Sequence, residues 1–240
     1  MAGTALRFGA VVFDLFGTLV PEFSRTDFFD SVRVAADRLA CDRDAFERAW
    51  TGTGVLRQTG AYAGGVEENV RAIVAELGGA EPSDEAVAAA LAPRTALYDR
   101  WFHPRDGALE TLRDVKALGY PIGLISMCAP DTPERWRASE LAPLVDVTIF
   151  SSETGLRKPD PEIYLAACEE LAVEPERCLY CGDGAYGELS GATAVGMTAF
   201  LIRPPDLDVA EALTPEPEED WRGATIGDLR ELLDLLDPSV

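Results

Sequence analysis

The sequence predicts an α/β protein in which a doubly wound parallel sheet is interrupted by an inserted all-helical segment. Short apolar runs alternate with segments of helical periodicity, which is the pattern of repeated strand–helix–strand units. After the first run, residues 21–102 carry helical signals and no strand signal. The chain has 240 residues, of which 47% are hydrophobic and 26% charged, so it is long enough for one or two domains of ordinary globular composition.

Five apolar runs are each expected to form a buried strand, because helices on both faces of a parallel sheet leave no polar face. The runs cover residues 8–13, 122–125, 145–150, 178–181 and 198–202. Helices are expected over residues 108–118, 161–171 and 189–195. Gly119 and Gly196 follow the first and the third of these helices, where a left-handed C-cap favours glycine.

Three to five helices are expected in residues 21–102. Ser24, Asp42 and Ser83 each precede a helical pattern at an N-cap position, and apolar residues spaced three and four apart predict a further helix over residues 66–77. Ligands bind beyond the carboxyl ends of the strands in open parallel sheets, so a segment that leaves the sheet after the first strand is expected to cover the ligand.

This placement predicts two domains and a lid. The sheet domain is expected to comprise residues 1–20 and 103–240, and the helical domain residues 21–102, with hinges near residues 20–23 and 101–106. Nine arginines of the helical domain, Arg25 and Arg57 among them, are candidate contacts of an anionic substrate. Most are expected to lie on solvated helix faces.

Acidic residues outnumber basic residues by 42 to 21, which gives a formal charge of −21. Such a charge repels nucleic acid and anionic membranes, so neither is expected as a partner. The apolar runs are far shorter than the roughly 20 residues that a transmembrane helix needs, and the N-terminal segment lacks a small-residue cleavage site. A cytoplasmic protein is therefore expected. Five scattered cysteines, an odd number, agree with reduced thiols.

Polar side chains close three of the predicted strands. Asp14 follows the first strand in the segment DLFGT, Ser126 ends the strand of PIGLIS, and Asp183 follows a strand in CGDG. Lys158 lies in GLRKPDP, just before a helix that Asp160 caps. Each of these residues alone also has a structural explanation, as a turn, a cap or a solvated surface position. The carboxyl ends of parallel strands meet at one edge of the sheet, so the group is expected to lie together.

An acidic pair at this edge predicts a cation. Two carboxylates a few ångströms apart repel each other, and one would be pushed towards protonation. A divalent cation removes that penalty, and a small set of oxygen ligands favours Mg²⁺. The arrangement suits an anionic, phosphate-like group bound between the metal ion and Lys158, with Asp14 in line for attack.

The motifs FDLFGTL, LIS, GLRKPDPEIY and YCGDGAYGELSGA occur in this order. With them the chain resembles the haloacid dehalogenase superfamily, in the branch with a helical cap inserted after the first motif. The resemblance implies a Rossmann-like, three-layer core. It also implies that Asp14 is the covalent nucleophile of a hydrolase, and that Thr18, Ser126 and Lys158 bind the transferred group. The substrate is then expected to be a small phosphorylated molecule.

By the same resemblance, Mg²⁺ is bound by Asp14, Asp183 and the backbone carbonyl of Phe16. Glu188 stands where the last motif of the superfamily usually has a second aspartate. Its carboxylate is expected to contact the metal ion or Lys158 from outside. The resemblance therefore predicts a magnesium-dependent phosphatase.

The first motif departs from the pattern of phosphatases in this superfamily. These enzymes usually have a second aspartate two residues after the nucleophile, as general acid and base, and Phe16 stands there. The loss of a positioned acid and base typically costs about 10²–10⁴ in rate. An activated leaving group, an acid from the helical segment or different chemistry would each compensate.

Phe16, in place of the second aspartate, raises three alternatives to the phosphatase. The 2-haloacid dehalogenases also have an aromatic residue at this position, but they work without metal and lack an acid where Asp183 stands, so Asp183 favours the phosphatase. Phosphonoacetaldehyde hydrolases use a cap lysine, and residues 21–102 contain none, which excludes that chemistry. A protein that keeps the site for ligand binding or regulation, with impaired turnover, is the third alternative.

Overall fold

A computed structural model describes residues 8–204, 211–213 and 220–236 of the protein. Two predictions concern residues that lie partly outside these ranges: that the N-terminal segment is not a signal peptide, and where the sheet domain begins and ends. Within the ranges, none of the helices combines the length and the apolar character that crossing a bilayer requires.

Six parallel strands form one sheet. The strands are β1 (Ala10–Phe13), β2 (Ile122–Ser126), β3 (Val147–Phe150), β4 (Cys178–Gly182), β5 (Thr198–Ile202) and β6 (Ala224–Ile226). They lie in the order β3-β2-β1-β4-β5-β6, and every neighbouring pair is parallel. The predicted doubly wound parallel sheet is therefore confirmed. The strand order reverses between β1 and β4, which is where sheets of this order bind ligands.

Two strands begin later than the sequence predicts. β1 begins at Ala10 rather than at residue 8, because its neighbour β4 begins with Cys178, directly opposite Ala10. β3 begins at Val147 rather than at residue 145, because the Asp146 side chain accepts a hydrogen bond of 2.8 Å from the backbone amide of Ile122. The three residues of β6 contain no apolar run, so the sequence does not predict this strand.

Five helices fall in residues 21–102, within the predicted range of three to five. They are α1 (Arg25–Arg38), α2 (Arg43–Gly52), α3 (Gly54–Gln58), α4 (Val66–Glu76) and α5 (Asp84–Trp101). Ser24, Asp42 and Ser83 cap α1, α2 and α5, since each side chain accepts a hydrogen bond from the backbone amide three residues further on. These helices, called here the helical segment (residues 25–101), bury apolar side chains such as Phe46 and Ile73 in a core of their own.

Six further helices pack around the sheet in the described residues. They are α6 (Ala108–Ala117), α7 (Thr132–Arg137), α8 (Ser151–Thr154), α9 (Pro161–Leu171), α10 (Glu188–Ala194) and α11 (Glu231–Leu236). α10 starts one residue earlier than predicted because Gly187, in the left-handed conformation at φ 66°, ends the turn before it. The helices α7, α8 and α11 span six residues or fewer, too few for a periodic pattern to predict them.

Alternate residues of β1 face opposite sides of the sheet. Val11 and Phe13 belong to an apolar cluster that includes side chains of α6 and α11, such as Leu112. Ala10 and Val12 belong to a second cluster with side chains of α9 and α10. The core therefore has three layers, with the sheet between two layers of helices, as the sequence predicts.

Candidate active site

Asp14 and Asp183 lie at the carboxyl ends of adjacent strands. Asp14 follows β1, and its backbone amide donates a hydrogen bond of 2.9 Å to the carbonyl of Cys181 in β4. Asp183 directly follows β4. The two side chains therefore flank the point at which the strand order reverses.

Asp14, Asp183 and Glu188 form a buried acidic cluster. Each contributes a carboxylate oxygen, and these oxygens all lie within 4.8 Å of one another. Burial, followed by the charge of Glu188, raises the pKa of Asp14 to about 7, and the same two causes raise the pKa of Asp183 well above its usual value. Closely spaced carboxylate oxygens are a donor set that fits a hard divalent cation, and such a cation would reverse these shifts of the pKa.

Lys158 is bonded directly to this acidic cluster. Its side chain is 1% exposed, and its Nζ donates hydrogen bonds of 2.5 Å to Asp14 Oδ1 and to Glu188 Oε2. Burial opposes the charged form of Lys158, but the carboxylates of Asp14 and Glu188 raise its pKa above the usual value. Lys158 is therefore protonated and holds Asp14 in one orientation.

Glu188 anchors Lys158 through a network of its own. Glu188 Oε2 also accepts a hydrogen bond of 2.6 Å from the Tyr180 hydroxyl, and Oε1 accepts one of 2.9 Å from the backbone amide of Gly184. Three donors thus occupy its two oxygens. The carboxylate contacts Lys158, which is one of the two contacts that the sequence predicts for it.

Gly17 and Gly182 let the acidic side chains pack this closely. A Cβ atom on Gly17, whose φ is +76°, would overlap Asp183 Oδ2. A Cβ atom on Gly182 would overlap Glu188 Oε1. The acidic cluster therefore depends on two backbone positions that carry no side chain.

Two residues with buried hydroxyl groups are neighbours of Asp14, one in the sequence and one in the sheet. Thr18 follows Asp14 by four residues, and Ser126 ends β2, the neighbour of β1. In the described part of the chain, Thr18 Oγ1 and Ser126 Oγ make no hydrogen bond of good geometry, although the Cys128 thiol lies near Ser126. Buried hydroxyls without such bonds cost free energy that a bound oxyanion would offset.

Phe16 lies in an aromatic cluster. Its ring centroid is 5.0 Å from that of Phe23, 6.0 Å from that of Phe102 and 6.5 Å from that of Tyr98. Tyr98 belongs to α5, Phe23 precedes α1 and Phe102 follows α5. The ring that stands at the position of the usual acid thus joins the sheet to both ends of the helical segment.

A cavity of about 430 Å³ lies between the acidic cluster and the helical segment. Asp14 and Phe16 line it on the side of the sheet, and Trp50 and Arg57 line it on the side of the helical segment. Cavities of about 300–1,000 Å³ are typical of small-molecule sites. The nucleophile predicted from the sequence therefore faces a space large enough for a small substrate.

Glu22, which lines this cavity, and Asp131, which pairs with an arginine that lines it, are not predicted as site residues from the sequence. Glu22 is buried in its wall and, after burial and the charges of Glu188 and Asp14, also raises the pKa of Asp183. Asp131, in the loop after β2, accepts hydrogen bonds of 2.7 and 2.8 Å from Arg94 of α5. Neither residue ends a strand; the signal in the sequence for Glu22 is its place in the predicted hinge at residues 20–23.

The fold and the acidic strand ends define a Rossmann-like α/β enzyme with an inserted helical segment. The sequence profile of the haloacid dehalogenase-like hydrolases matches residues 8–196, and the chain belongs to this family of hydrolases. The resemblance read from the four motifs is therefore confirmed at the level of the superfamily.

Curated relatives include phosphatases and a dehalogenase. A glyceraldehyde 3-phosphate phosphatase of Methanopyrus kandleri is 28% identical over 66% of this chain and 67% of its own length. A phosphoserine phosphatase of Thermus thermophilus is 28% identical over 85% of this chain and 84% of its own length. An (S)-2-haloacid dehalogenase of Burkholderia cepacia is 30% identical over a shorter stretch, 43% of this chain and 46% of its own length.

Solved structures show the same fold. A HAD phosphatase from Thermococcus onnurineus superposes with a TM-score of 0.64 and 20% sequence identity, over 95% of this chain and 98% of that one. The similarity extends through the sheet and the helical segment together, and at this identity it bears on the fold alone.

Proposed function

We propose that the protein is a magnesium-dependent phosphatase that hydrolyses a small phosphorylated molecule through an aspartyl phosphate at Asp14. The charge of the site is the observation that carries this proposal. The three buried carboxylates of the acidic cluster, Asp14, Asp183 and Glu188, are accompanied by one buried lysine, Lys158. A divalent cation would bring this balance closer to neutrality. The two phosphatase relatives support the same reaction class.

In this proposal Mg²⁺ is held by Asp14, Asp183 and the backbone carbonyl of Phe16, and Glu188 stays outside on Lys158. The ion, when bound, supplies positive charge for the phosphoryl oxygens. The acidic cluster and the glycine positions beside it support this assignment. The carboxylates would be ionised in the complex, because a metal ion competes with protons for them.

Asp14 performs the first chemical step. One of its carboxylate oxygens attacks the phosphorus, the bond between phosphorus and the leaving oxygen breaks, and that oxygen takes the electron pair. Lys158 favours the ionised form of Asp14 and orients it, and together with Thr18 and Ser126 it binds the phosphoryl oxygens. In the second step a water oxygen attacks the phosphorus, its proton passes to solvent, and Asp14 is released as a carboxylate.

Phe16 decides which substrates react quickly. A phenyl ring cannot protonate the leaving oxygen, so the rate depends on how stable that oxygen is as an anion. The aryl oxide and carboxylate anions released from aryl and acyl phosphates leave readily without a proton, whereas the alkoxide of an alkyl phosphate does not. We therefore expect the enzyme to prefer aryl or acyl phosphates.

The helical segment acts as the cap in this proposal. Residues 21–102 would move about hinges near residues 20–23 and 101–106 over a sheet domain of residues 1–20 and 103–240. The paired Arg94 and Asp131, and the aromatic contacts of Phe16, support a closed position in which the cavity is covered. Closure would exclude bulk water from the aspartyl phosphate until the leaving group departs.

The proposal is tested by the hydrolysis of para-nitrophenyl phosphate with Mg²⁺ and with a chelator. We expect turnover with Mg²⁺ and a return to the background rate with the chelator or with Asp14→Asn. Asp146→Asn is the matched control, because Asp146 pairs with Lys116 at the surface and should leave the rate unchanged. Turnover that survives both Asp14→Asn and the chelator would contradict the proposal.

A 2-haloacid dehalogenase is the second candidate function. The aromatic residue at Phe16 and the dehalogenase relative favour it, and Asp183 in the acidic cluster opposes it. Release of chloride or bromide from a 2-haloacid, undiminished by the chelator, would establish this function. A third result is informative as well: a phosphate mimic that raises the melting temperature only with Mg²⁺, without turnover of either substrate, would identify a ligand-binding protein.

A further inference from the structure

Two arginines of the helical segment are buried, and they differ in whether the guanidinium forms an ion pair with a carboxylate. Arg94 is 9% exposed and Arg57 is 5% exposed. The guanidinium of Arg94 forms a bidentate ion pair with Asp131, at 2.7 and 2.8 Å. Its charge is therefore compensated by a carboxylate of the protein itself.

Arg57 has only neutral hydrogen-bond partners among the described residues. It donates hydrogen bonds of 2.6 Å to the carbonyl of Trp50 and of 3.2 Å to Thr53 Oγ1, and its guanidinium lies 3.9 Å from the centroid of a Trp50 ring. Burial, followed by the charge of Arg94, lowers the pKa of Arg57 to about 10, because the charge of Asp131 offsets only part of these effects; the group is still charged at neutral pH. A buried cation that forms no ion pair is costly, and an anion brought by a ligand would offset that cost.

The position of Arg57 fits such a ligand. Arg57, which belongs to α3, and Asp14, which follows β1, line the same cavity of about 430 Å³. The aromatic side chains of Phe23, Phe28 and Trp50 line it as well. A ligand with its phosphate at Asp14 would therefore share the cavity with aromatic rings and with the guanidinium of Arg57.

We propose that Arg57 binds a second anionic group of the substrate. The substrate is then a phosphate ester whose leaving part has an apolar body and ends in a carboxylate or a second phosphate. This assignment rests on the proposed phosphatase for the position of the first phosphate. The guanidinium fork matches either anion, because both offer two oxygens to parallel N–H groups.

Binding of leaving-group analogues tests the assignment without turnover. We compare para-hydroxybenzoate with its neutral amide, para-hydroxybenzamide, by calorimetry on the protein with Mg²⁺. A charge-assisted hydrogen bond in a buried site should make the acid bind about tenfold to a hundredfold more tightly than the amide. Arg57→Gln should abolish the preference, and Arg57→Lys should retain part of it. Arg48→Gln is the matched control, since it removes one charge from an exposed position of α2.

Turnover of the matching esters separates this assignment from the phosphatase itself. The esters are para-carboxyphenyl phosphate, hydroquinone bisphosphate and the neutral para-carbamoylphenyl phosphate. In wild type, kcat/KM should be higher for one of the two anionic esters than for the neutral ester. This ratio of anionic to neutral kcat/KM should be lower in Arg57→Gln. The anionic ester with the higher kcat/KM identifies the second anion. Melting temperatures check that each variant is folded.

The outcomes are distinct. Equal binding of the acid and the amide by wild type overturns the role of Arg57, whether or not any ester is hydrolysed, and this arm does not depend on a folded variant. Preference for the acid with no hydrolysis of any ester contradicts the phosphatase and leaves the anion site standing. Preference that survives in Arg57→Gln assigns the second anion to another residue and overturns the assignment.

Discussion

The two lysines of this chain form a matched pair for testing the buried acidic cluster. Each donates to an aspartate oxygen at 2.5 Å, Lys158 to Asp14 and Lys116 to Asp146. The side chain of Lys158 is 1% exposed, whereas that of Lys116 is 37% exposed. Lys158→Met leaves the buried carboxylates without their cation and should lower the free energy of unfolding by about 3–5 kcal/mol. Lys116→Met should lower it by less than about 1 kcal/mol, because solvent already screens that pair.

The loss in Lys158→Met should also depend on pH. The pKa of Asp14 is already raised to about 7 by burial and by Glu188, and removal of the Lys158 ammonium raises it further. A carboxyl group whose pKa is higher in the folded chain than in the unfolded chain contributes stability at low pH, and that stability is lost as the pH rises through the folded value. Urea unfolding without Mg²⁺, near pH 5 and near pH 8, should therefore show the larger deficit near pH 8. Equal losses in the two lysine variants, or a loss for Lys158→Met that is the same at both pH values, would refute the reasoning.

Two further predictions concern the proton donor and the metal ion. Phe16→Asp should speed the hydrolysis of alkyl phosphates, with an upper limit of about 10²–10⁴-fold, and Phe16→Leu should not. The ratio of the hydrolysis rates of alkyl and aryl esters measures this effect. An unchanged ratio in Phe16→Asp would show that the enzyme does not lack a proton donor. Stabilisation by Mg²⁺ should increase as the pH rises towards about 7, by up to about 1.4 kcal/mol per pH unit for each proton displaced, because the raised pKa of Asp14 keeps a proton there that the ion must replace. Melting temperatures with and without Mg²⁺ across this range measure the effect. Asp14→Asn should reduce the pH dependence, because only the raised pKa of Asp183 then remains, and a stabilisation that falls with rising pH would contradict the prediction.

The strand ends could be predicted from the sequence because their signals are local. An apolar run followed by Asp14 or Asp183 specifies both the strand and the side chain at its end, and the parallel sheet brings these ends together. The N-caps Ser24, Asp42 and Ser83 are local signals of the same kind. The pairing of strands, by contrast, fixed where β1 and β3 begin, and no single run contains that information.

The wall of the cavity could not be predicted in the same way. The nine arginines in residues 21–102 are chemically alike in the sequence. Only packing distinguishes Arg57 from Arg94: both are buried, but among the described residues Arg57 forms no ion pair, whereas Arg94 pairs with Asp131. Glu22 enters the site because the chain turns there between β1 and α1. The aromatic contacts of Phe16 depend on both ends of the helical segment, more than 70 residues apart.

Phosphoryl transfer to Asp14 is the central claim, and a covalent adduct tests it most directly. Wild-type protein is mixed with excess para-nitrophenyl phosphate and Mg²⁺, quenched in acid and digested, and the peptide that contains Asp14 is examined by mass spectrometry. We expect a phosphoryl group on Asp14 that is absent from Asp14→Asn and from protein treated with a chelator. Steady release of phosphate while Asp14 stays unmodified, or a phosphoryl group on another residue, would contradict the account.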